Sequence, residues 1–377
     1  MSLGRDRRRE IIRFFFVHPL SGANIGTLYT VFRDAGGVSP KKLGKVAAIW
    51  LAALGRWPLS AGERLAIDPH LPELDALAPP VFILGHWRSG TTHLYNALAK
   101  ADWGFVPPVA TGLPWDLLGL AKWIEPMLER QLPQTRYIDN IPVKPDSPQE
   151  DEIALANMTP VSFYHGIYFP EILPDKLAEG VFFDGLSAQE ITAWTARFTY
   201  FLRKLSVHQQ GKRLLIKNPV YTARLGLLRQ TLPSAKYVHI VRNPYEVFAS
   251  MRNFYAKLIA EFSLQDAARD DVDALILATY DRMMRAIETD SAGLAAPAFI
   301  EVRYEELDRD PLTVLERFYR ELDLGDFARW RPVFADYLAS VKGFEKNKFA
   351  YSDDAARLVE TYLGYWLDKW RYSRPGG

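Results

Sequence analysis

The chain has 377 residues, with 46 Lys plus Arg against 45 Asp plus Glu and a formal net charge of +1. At about 100–200 residues per domain this length holds one large domain with an extension, or two domains, and a composition 48% hydrophobic and 24% charged reads as globular and soluble. The near-zero charge supplies no overall field for nucleic acid, and the lack of cysteine excludes disulfide scaffolds, cysteine nucleophiles and cysteine-ligated zinc or iron–sulfur sites.

Residues 1–78 read as a mainly helical N-terminal extension with breaks at Gly36-Gly37, Pro58 and Pro69. Its apolar runs fall short of the ~20 residues that span a bilayer. Ile11 to Phe32 is broken by Arg13, His18, Pro19, Ser21 and Asn24, and Val46 to Leu54 is too short. No small-residue cleavage site follows a clean apolar segment, so no secretory signal is expected and the cytoplasm is the default compartment. Arg5, Arg7, Arg8, Arg9 and Arg13 precede Phe14–Phe16, and Lys41, Lys42 and Lys45 precede Val46. Basic residues beside a short apolar helix either rest peripherally on an anionic membrane or belong to a helical lid docked on the domain.

The stretch Asp68 to Pro80 marks a boundary, and residues 79–377 carry a different pattern. Four apolar runs, Val81–Leu84, Arg213–Lys217, Tyr237–Val241 and Phe299–Val302, each precede a helical segment, at Thr91–Lys100, Arg224–Thr231, Tyr245–Glu261 and Pro311–Leu322. Buried strands alternating with helices predict an α/β fold with a P-loop-type central parallel sheet flanked by helices. The long interval between the first two strands exceeds an ordinary crossover. It predicts a helical insertion at about 102–211, where substrate selection is expected. Its aromatics, Trp103, Trp115, Trp123, Tyr137, Phe163, Tyr164, Tyr168 and Phe169, either line an apolar acceptor pocket or fill a helical core.

Between the first strand and its helix stands Gly85-His86-Trp87-Arg88-Ser89-Gly90-Thr91-Thr92, with the spacing of a phosphate loop. The position that is lysine in nucleoside-triphosphate enzymes is Thr91, and the cation, Arg88, stands inside the loop. The third strand ends in Val241-Arg242 instead of an acid for Mg²⁺. The expected anion is therefore not a metal-bound triphosphate, and no metal is expected.

This loop resembles the 5′-phosphosulfate loop of sulfotransferases that use 3′-phosphoadenosine 5′-phosphosulfate (PAPS), above all bacterial ones reading Arg-Ser-Gly-Thr-Thr, a pattern shared with tyrosylprotein sulfotransferases. Tyr237–Pro244, continuing to Ser250, is similar to the family's 3′-phosphate motif, with arginine at a strand end and serine eight residues later. Val302–Leu307 with Asp310-Pro311 resembles the family's Tyr-Glu-Asp-Leu segment, and Lys342–Lys348 resembles the late loop that closes over the nucleotide. His93 departs from the cytosolic enzymes, which carry tryptophan there to stack on adenine.

The resemblance implies PAPS as co-substrate and adenosine 3′,5′-bisphosphate as product, bound by Arg88, Ser89, Gly90, Thr91, Thr92, Arg242, Ser250, Tyr304 and Lys348. It implies sulfuryl transfer to a hydroxyl or amine of a small-molecule, lipid or glycan acceptor. Arg88 and Lys217 are the expected cations for the leaving group, Lys217 because tyrosylprotein sulfotransferases have a similar lysine shortly before a proline. A general base is also expected. Ser147–Glu152 supplies Glu150 or Glu152, and His165 is the third candidate. Ser147 and Glu150 also have capping-box spacing, with Pro148 at the first helical position. Two other readings compete: a P-loop kinase or nucleotide hydrolase, which wants the missing loop lysine, and a catalytically inactive nucleotide-binding protein. Oligomeric state is open.

Overall fold

Val81-Phe82-Ile83-Leu84 has no polar position, as a strand covered on both faces requires, and in a computed structural model of the chain it is the fully buried strand β1. The structure describes residues 18–128, 144–266, 272–342 and 352–374. They form two compact units, one drawn from residues 78–105, 212–256 and 270–377, the other from 1–77, 106–211 and 257–269.

In the first unit, β1 (Val81–Leu84), β2 (Leu215–Lys217), β3 (Lys236–Val241) and β4 (Phe299–Arg303) form a parallel sheet in the order β2-β1-β3-β4. The α/β class read from the sequence is the class observed. Register pairs Ile83 with Lys217, Leu84 with His239 and Val241 with Arg303. The strands therefore end together, and the residues after them emerge at one carboxyl edge, where open parallel sheets bind ligands. One face of the sheet buries Val81, Ile83, Val238, Ile240, Ile300 and Val302 with Leu94 and Leu98 of the Thr91–Leu98 helix. On the other face Phe82 lies 5.8 Å from the rings of both Tyr221 and Tyr237. Helices Pro244–Phe262 and Pro311–Glu321 keep the expected positions to within a residue.

The second unit is helical. Its Leu43–Ile67 helix runs through Pro58, where the sequence predicts a break. Proline removes one N–H and so frees the Leu54 carbonyl, but Leu54 and Pro58 are both exposed, and water can take that bond. The opposite side of this helix is fixed by charge. Arg56 pairs with Asp116, which also accepts from Ser60 Oγ, and Arg56 Nη2 donates to the carbonyls of Ser21 at 2.9 Å and Ala23 at 2.8 Å. Glu63 accepts from Lys204 Nζ at 2.5 Å and from Leu118 N at 3.1 Å, and Lys204 Nζ also donates to the Trp115 carbonyl at 2.8 Å. Lys204 comes from the Ala188–His208 helix, which Ser187 and Glu190 start with a reciprocal capping box. Among the described residues, no helix is long and apolar enough to cross a membrane.

Glu63 and Lys204 are both buried. Removing one partner strands a buried charge, whereas removing both does not. Lys204→Met is expected to lower unfolding stability by about 3–5 kcal/mol, and Lys204→Met/Glu63→Leu to recover most of it. Denaturant titration followed by far-UV circular dichroism measures both.

Candidate active site

The phosphate loop is shaped by three left-handed residues, Gly85 (φ 143°), Arg88 (φ 69°) and Gly90 (φ 96°). A Cβ on Gly85 would sit 2.6 Å from the Ile240 carbonyl oxygen and 2.7 Å from Ser89 Oγ, and one on Gly90 would run into the Tyr304 ring. Arg88 has no such excuse: a non-glycine residue in this region costs of order 1–3 kcal/mol, a strain found mostly at ligand sites. Gly85 N is held by Thr222 Oγ1 at 2.8 Å. Gly90 is the N-cap of the Thr91–Leu98 helix and brings no capping side chain, so the positive end of the helix dipole opens into the loop. Ser89 is buried, and among the described residues its hydroxyl has no hydrogen-bond partner. A buried polar group in that state suits a ligand oxygen.

The cations gather at the same edge. Arg88 Nε donates to Ser250 Oγ at 2.9 Å, and Arg242 Nη1 donates to the Arg88 carbonyl at 3.0 Å. Arg242 lies 4.4 Å above the Tyr304 ring and donates through Nε to Glu246 Oε2 at 2.7 Å. Lys217, buried at the end of β2, points Nζ at Thr92 Oγ1, 3.4 Å away. Arg88, Gly90, Arg242, Ser250 and Tyr304 are thus joined by direct contacts, Thr92 and Lys217 by another, and Ser89 and Thr91 sit between them in the loop. Tyr304 is the first residue of a short helix, Tyr304–Arg309, and its ring is buried in the sheet's core cluster.

Two participants were not anticipated. Glu246 occupies Arg242, a pairing signalled by the i, i+4 spacing, and Thr222 anchors Gly85 with no sequence signal at all. The pairing of Arg88 with Ser250 also differs from the expected one, in which Ser250 and Arg242 serve the same phosphate.

The base candidates belong to the helical unit. Glu150 is half-buried in the segment before the Glu152–Met158 helix. The expected helix start at Pro148 is not observed. Gln149 N is spent on the Val106 carbonyl at 2.8 Å and Ser147 Oγ accepts from Lys144 N at 2.8 Å, so the chain stays non-helical until Asp151. Glu152 is fully buried and accepts from Ser162 Oγ at 2.6 Å. His165 is fully buried with each ring nitrogen 2.9 Å from a backbone carbonyl, those of Pro160 and Ala156. Burial pushes its pKa down to about 4, against the pull of those carbonyls, so the ring is neutral near pH 7. Trp115, Phe163, Tyr164, Tyr168 and Phe169 are core residues of this unit, Trp103 is buried in the sheet unit, and Trp123 is exposed. Lys348 and Tyr137 lie outside the described residues, as do Arg5 to Phe16.

An open parallel sheet with a lysine-less phosphate loop and arginines at its carboxyl edge defines an α/β protein whose loop is suited to a small anionic group and lacks the loop lysine of kinases. The model of the Sulfotransferase family matches residues 79–328, and the chain belongs to that family. It is 29% identical over 323 residues, 86% of this chain and 81% of theirs, to the omega-hydroxy-beta-dihydromenaquinone-9 sulfotransferases Stf3 of Mycobacterium bovis and Mycobacterium tuberculosis. The fold is similar to sulfotransferase STF9 from Mycobacterium avium, with a TM-score of 0.69, 15% identity, and 94% of this chain and 98% of that one covered. Sulfotransferase STF1 from Mycobacterium tuberculosis gives 0.62 at 19% identity, covering 90% of this chain and 91% of its own. The protein is a sulfotransferase, which sets the kinase and inactive-binder readings aside.

Burial of neutral histidines ties stability to pH. His165 and His18 have folded pKa values pushed down by burial to about 4 and about 3, below 6.5 in the unfolded chain. Between those limits the unfolded state binds more protons, so stability falls as pH drops from 6.5 toward 4, by roughly 1.4 kcal/mol per pH unit for each histidine. The difference in unfolding stability between pH 7 and pH 5 is expected to shrink in His165→Asn, measured by urea titration at both pH values.

Proposed function

We propose that this sulfotransferase takes PAPS as its donor and a lipid hydroxyl as its acceptor, works in the cytoplasm, and touches the membrane peripherally. The observation that carries the donor reading is the buried Ser89 hydroxyl, without a hydrogen-bond partner among the described residues, inside a left-handed loop at the end of a helix dipole and next to Arg88. In the transfer the acceptor oxygen attacks sulfur in line, the bond from sulfur to the bridging phosphate oxygen breaks, and its electron pair leaves with adenosine 3′,5′-bisphosphate. Loop N–H groups, Ser89, Thr91 and Thr92 hold the 5′-phosphate, while Arg88 and Lys217 neutralise the charge growing on the leaving oxygen. Arg242 and Ser250 bind the 3′-phosphate, exchanging Glu246 and Arg88 for it, and Tyr304 flanks the base. Lys348 is assigned to the same nucleotide by resemblance alone.

The acceptor proton goes to Glu150 or Glu152. His165 is a poorer base, because both its nitrogens already face backbone carbonyls. A lipid acceptor is supported by the mycobacterial relatives, whose name specifies an omega-hydroxylated dihydromenaquinone. Glycans and small molecules are the remaining acceptor classes.

Calorimetry with adenosine 3′,5′-bisphosphate, without magnesium, tests the donor reading. Wild type is expected to bind in the micromolar range and Arg242→Ala to lose binding. Glu246→Gln, which releases Arg242 from an exposed-edge ion pair, should bind about two- to fivefold tighter. A wild-type chain that binds no bisphosphate would sink the reading. Transfer from labelled donor to extracted lipids then ranks the bases: Glu150→Gln or Glu152→Gln should abolish product while bisphosphate binding survives, and an inactive His165→Asn beside active glutamate variants would reverse the assignment.

A further inference from the structure

We propose that the outer face of the Leu43–Ile67 helix is a docking surface for an anionic lipid bilayer. As the route to a bilayer-held acceptor this rests on the lipid-acceptor reading, but as a docking surface it can be tested with no acceptor at all.

A helix on a water-facing surface normally hides its apolar stripe and shows its charges. Here the largest apolar side chains stand outside, while Arg56 and Glu63 stand inside and Arg64 is the exposed charge. Arg56, Ser60 and Glu63 are buried along the inner face together with Ala48, Ile49, Ala52 and Ala53. Leu51, Leu54, Trp57 and Leu65 point outward, 50%, 52%, 56% and 82% exposed, with Leu43 exposed at the start, while the exposed Leu59 lies to one side of this set. At 3.6 residues per turn these five fall on one stripe about 120° wide, running about 33 Å along the helix axis. Leucines set on one side of a helix around a tryptophan suit the boundary between headgroups and acyl chains, where indole is favoured.

Charge selects the kind of bilayer. Between Leu43 and Ile67 the only acid is Glu63, and it is buried against Lys204. No carboxylate therefore stands on the outer face to repel a negative surface. Lys41 and Lys42 stand at the N-terminal end, with no acid in the first turn, whereas Lys45 falls on the packed side of the helix. Lysines there oppose the helix dipole, so they do not serve the helix itself. They do attract anionic headgroups. An apolar stripe with cations at its end matches an anionic membrane in both chemistry and geometry, whereas a purely apolar partner would leave the lysines without purpose.

The test is cosedimentation of the full chain with vesicles of phosphatidylcholine alone or mixed equally with phosphatidylglycerol. Wild type is expected to pellet with the mixed vesicles, not with phosphatidylcholine alone, and to be released by high salt. Leu54→Glu/Trp57→Glu should lower binding at least about tenfold, and Lys41→Gln/Lys42→Gln roughly thirtyfold at about fivefold per lysine. Both variants should keep wild-type circular dichroism and adenosine 3′,5′-bisphosphate binding, which separates a failed docking surface from a failed donor site. The proposal is overturned if wild type stays in the supernatant with mixed vesicles, or if Leu54→Glu/Trp57→Glu pellets like wild type. It is equally overturned if sedimentation velocity shows a dimer that this variant dissolves, or if hydroxyl-radical footprinting finds Trp57 already protected without lipid, which would assign the face to a second copy or to the chain's own residues 1–17.

Discussion

The close approach of Gly90 to the ring of Tyr304 sets the geometry on which the proposed phosphate site depends. A side chain at position 90 would drive the ring away, and with it the platform on which Arg242 lies. Arg242 in turn holds the Arg88 carbonyl, and Arg88 reaches Ser250. Three segments far apart in sequence, the loop at 88–90, the stretch from Arg242 to Ser250, and Tyr304, therefore meet around one missing Cβ. The sheet makes the approach possible, because β1, β3 and β4 are parallel and in register, so the loop after β1, Arg242 after β3 and Tyr304 after β4 leave the same edge. Strain at Arg88 is tolerated because this framework fixes the loop from both sides.

The same contacts explain how a chain with a net charge of +1 can hold a cationic site stably without ligand. Each arginine has a local partner, Glu246 for Arg242 and the Ser250 hydroxyl for Arg88, which in the proposed donor reading a phosphate replaces. Exchange of such partners sets affinity by difference. An ion pair at a partly solvated edge contributes only about 0–1 kcal/mol, whereas a charge-assisted bond to a multiply charged phosphate is stronger. Glu246 thus keeps the guanidinium oriented at little energetic cost to binding.

Much of this was legible in the sequence, and the limits have physical reasons. β1 to β3 were readable because strands buried on both faces are nearly continuous apolar runs, β4 because Ile300 and Val302 alternate with the exposed Glu301, and the loop because glycine spacing records left-handed backbone directly. Arg242 and Ser250 were readable as a spacing, but the partner of Ser250 was not, since it meets Arg88 only after two strands pair. Thr222 carries no signal, because its role is set by a backbone N–H 137 residues away. The helix start also failed. Ser147 and Glu150 have capping-box spacing, yet Ser147 Oγ accepts from Lys144 N and Gln149 N is tied to the Val106 carbonyl, so contacts other than the cap fix this segment. Pro58 failed in the other direction: a break that would be expensive in a core is cheap where the freed carbonyl faces water.

The Leu43–Ile67 helix shows why periodicity by itself could not assign its faces. Apolar residues at helical spacing normally mark the side that packs, and here Leu51, Leu54 and Trp57 mark the side that does not. The inner side is held by Arg56–Asp116 and Glu63–Lys204, pairs whose members lie 60 and 141 positions apart in the chain, so no local window contains both halves. Buried ion pairs are a weak source of stability compared with well-packed apolar residues, and leucines turned inward would have stabilised this unit more. A helix that places Arg56 and Glu63 inside and its leucines outside gives up stability that the alternative would provide. That sacrifice is understandable if the outer face has an apolar environment of its own to enter, as the bilayer reading supplies.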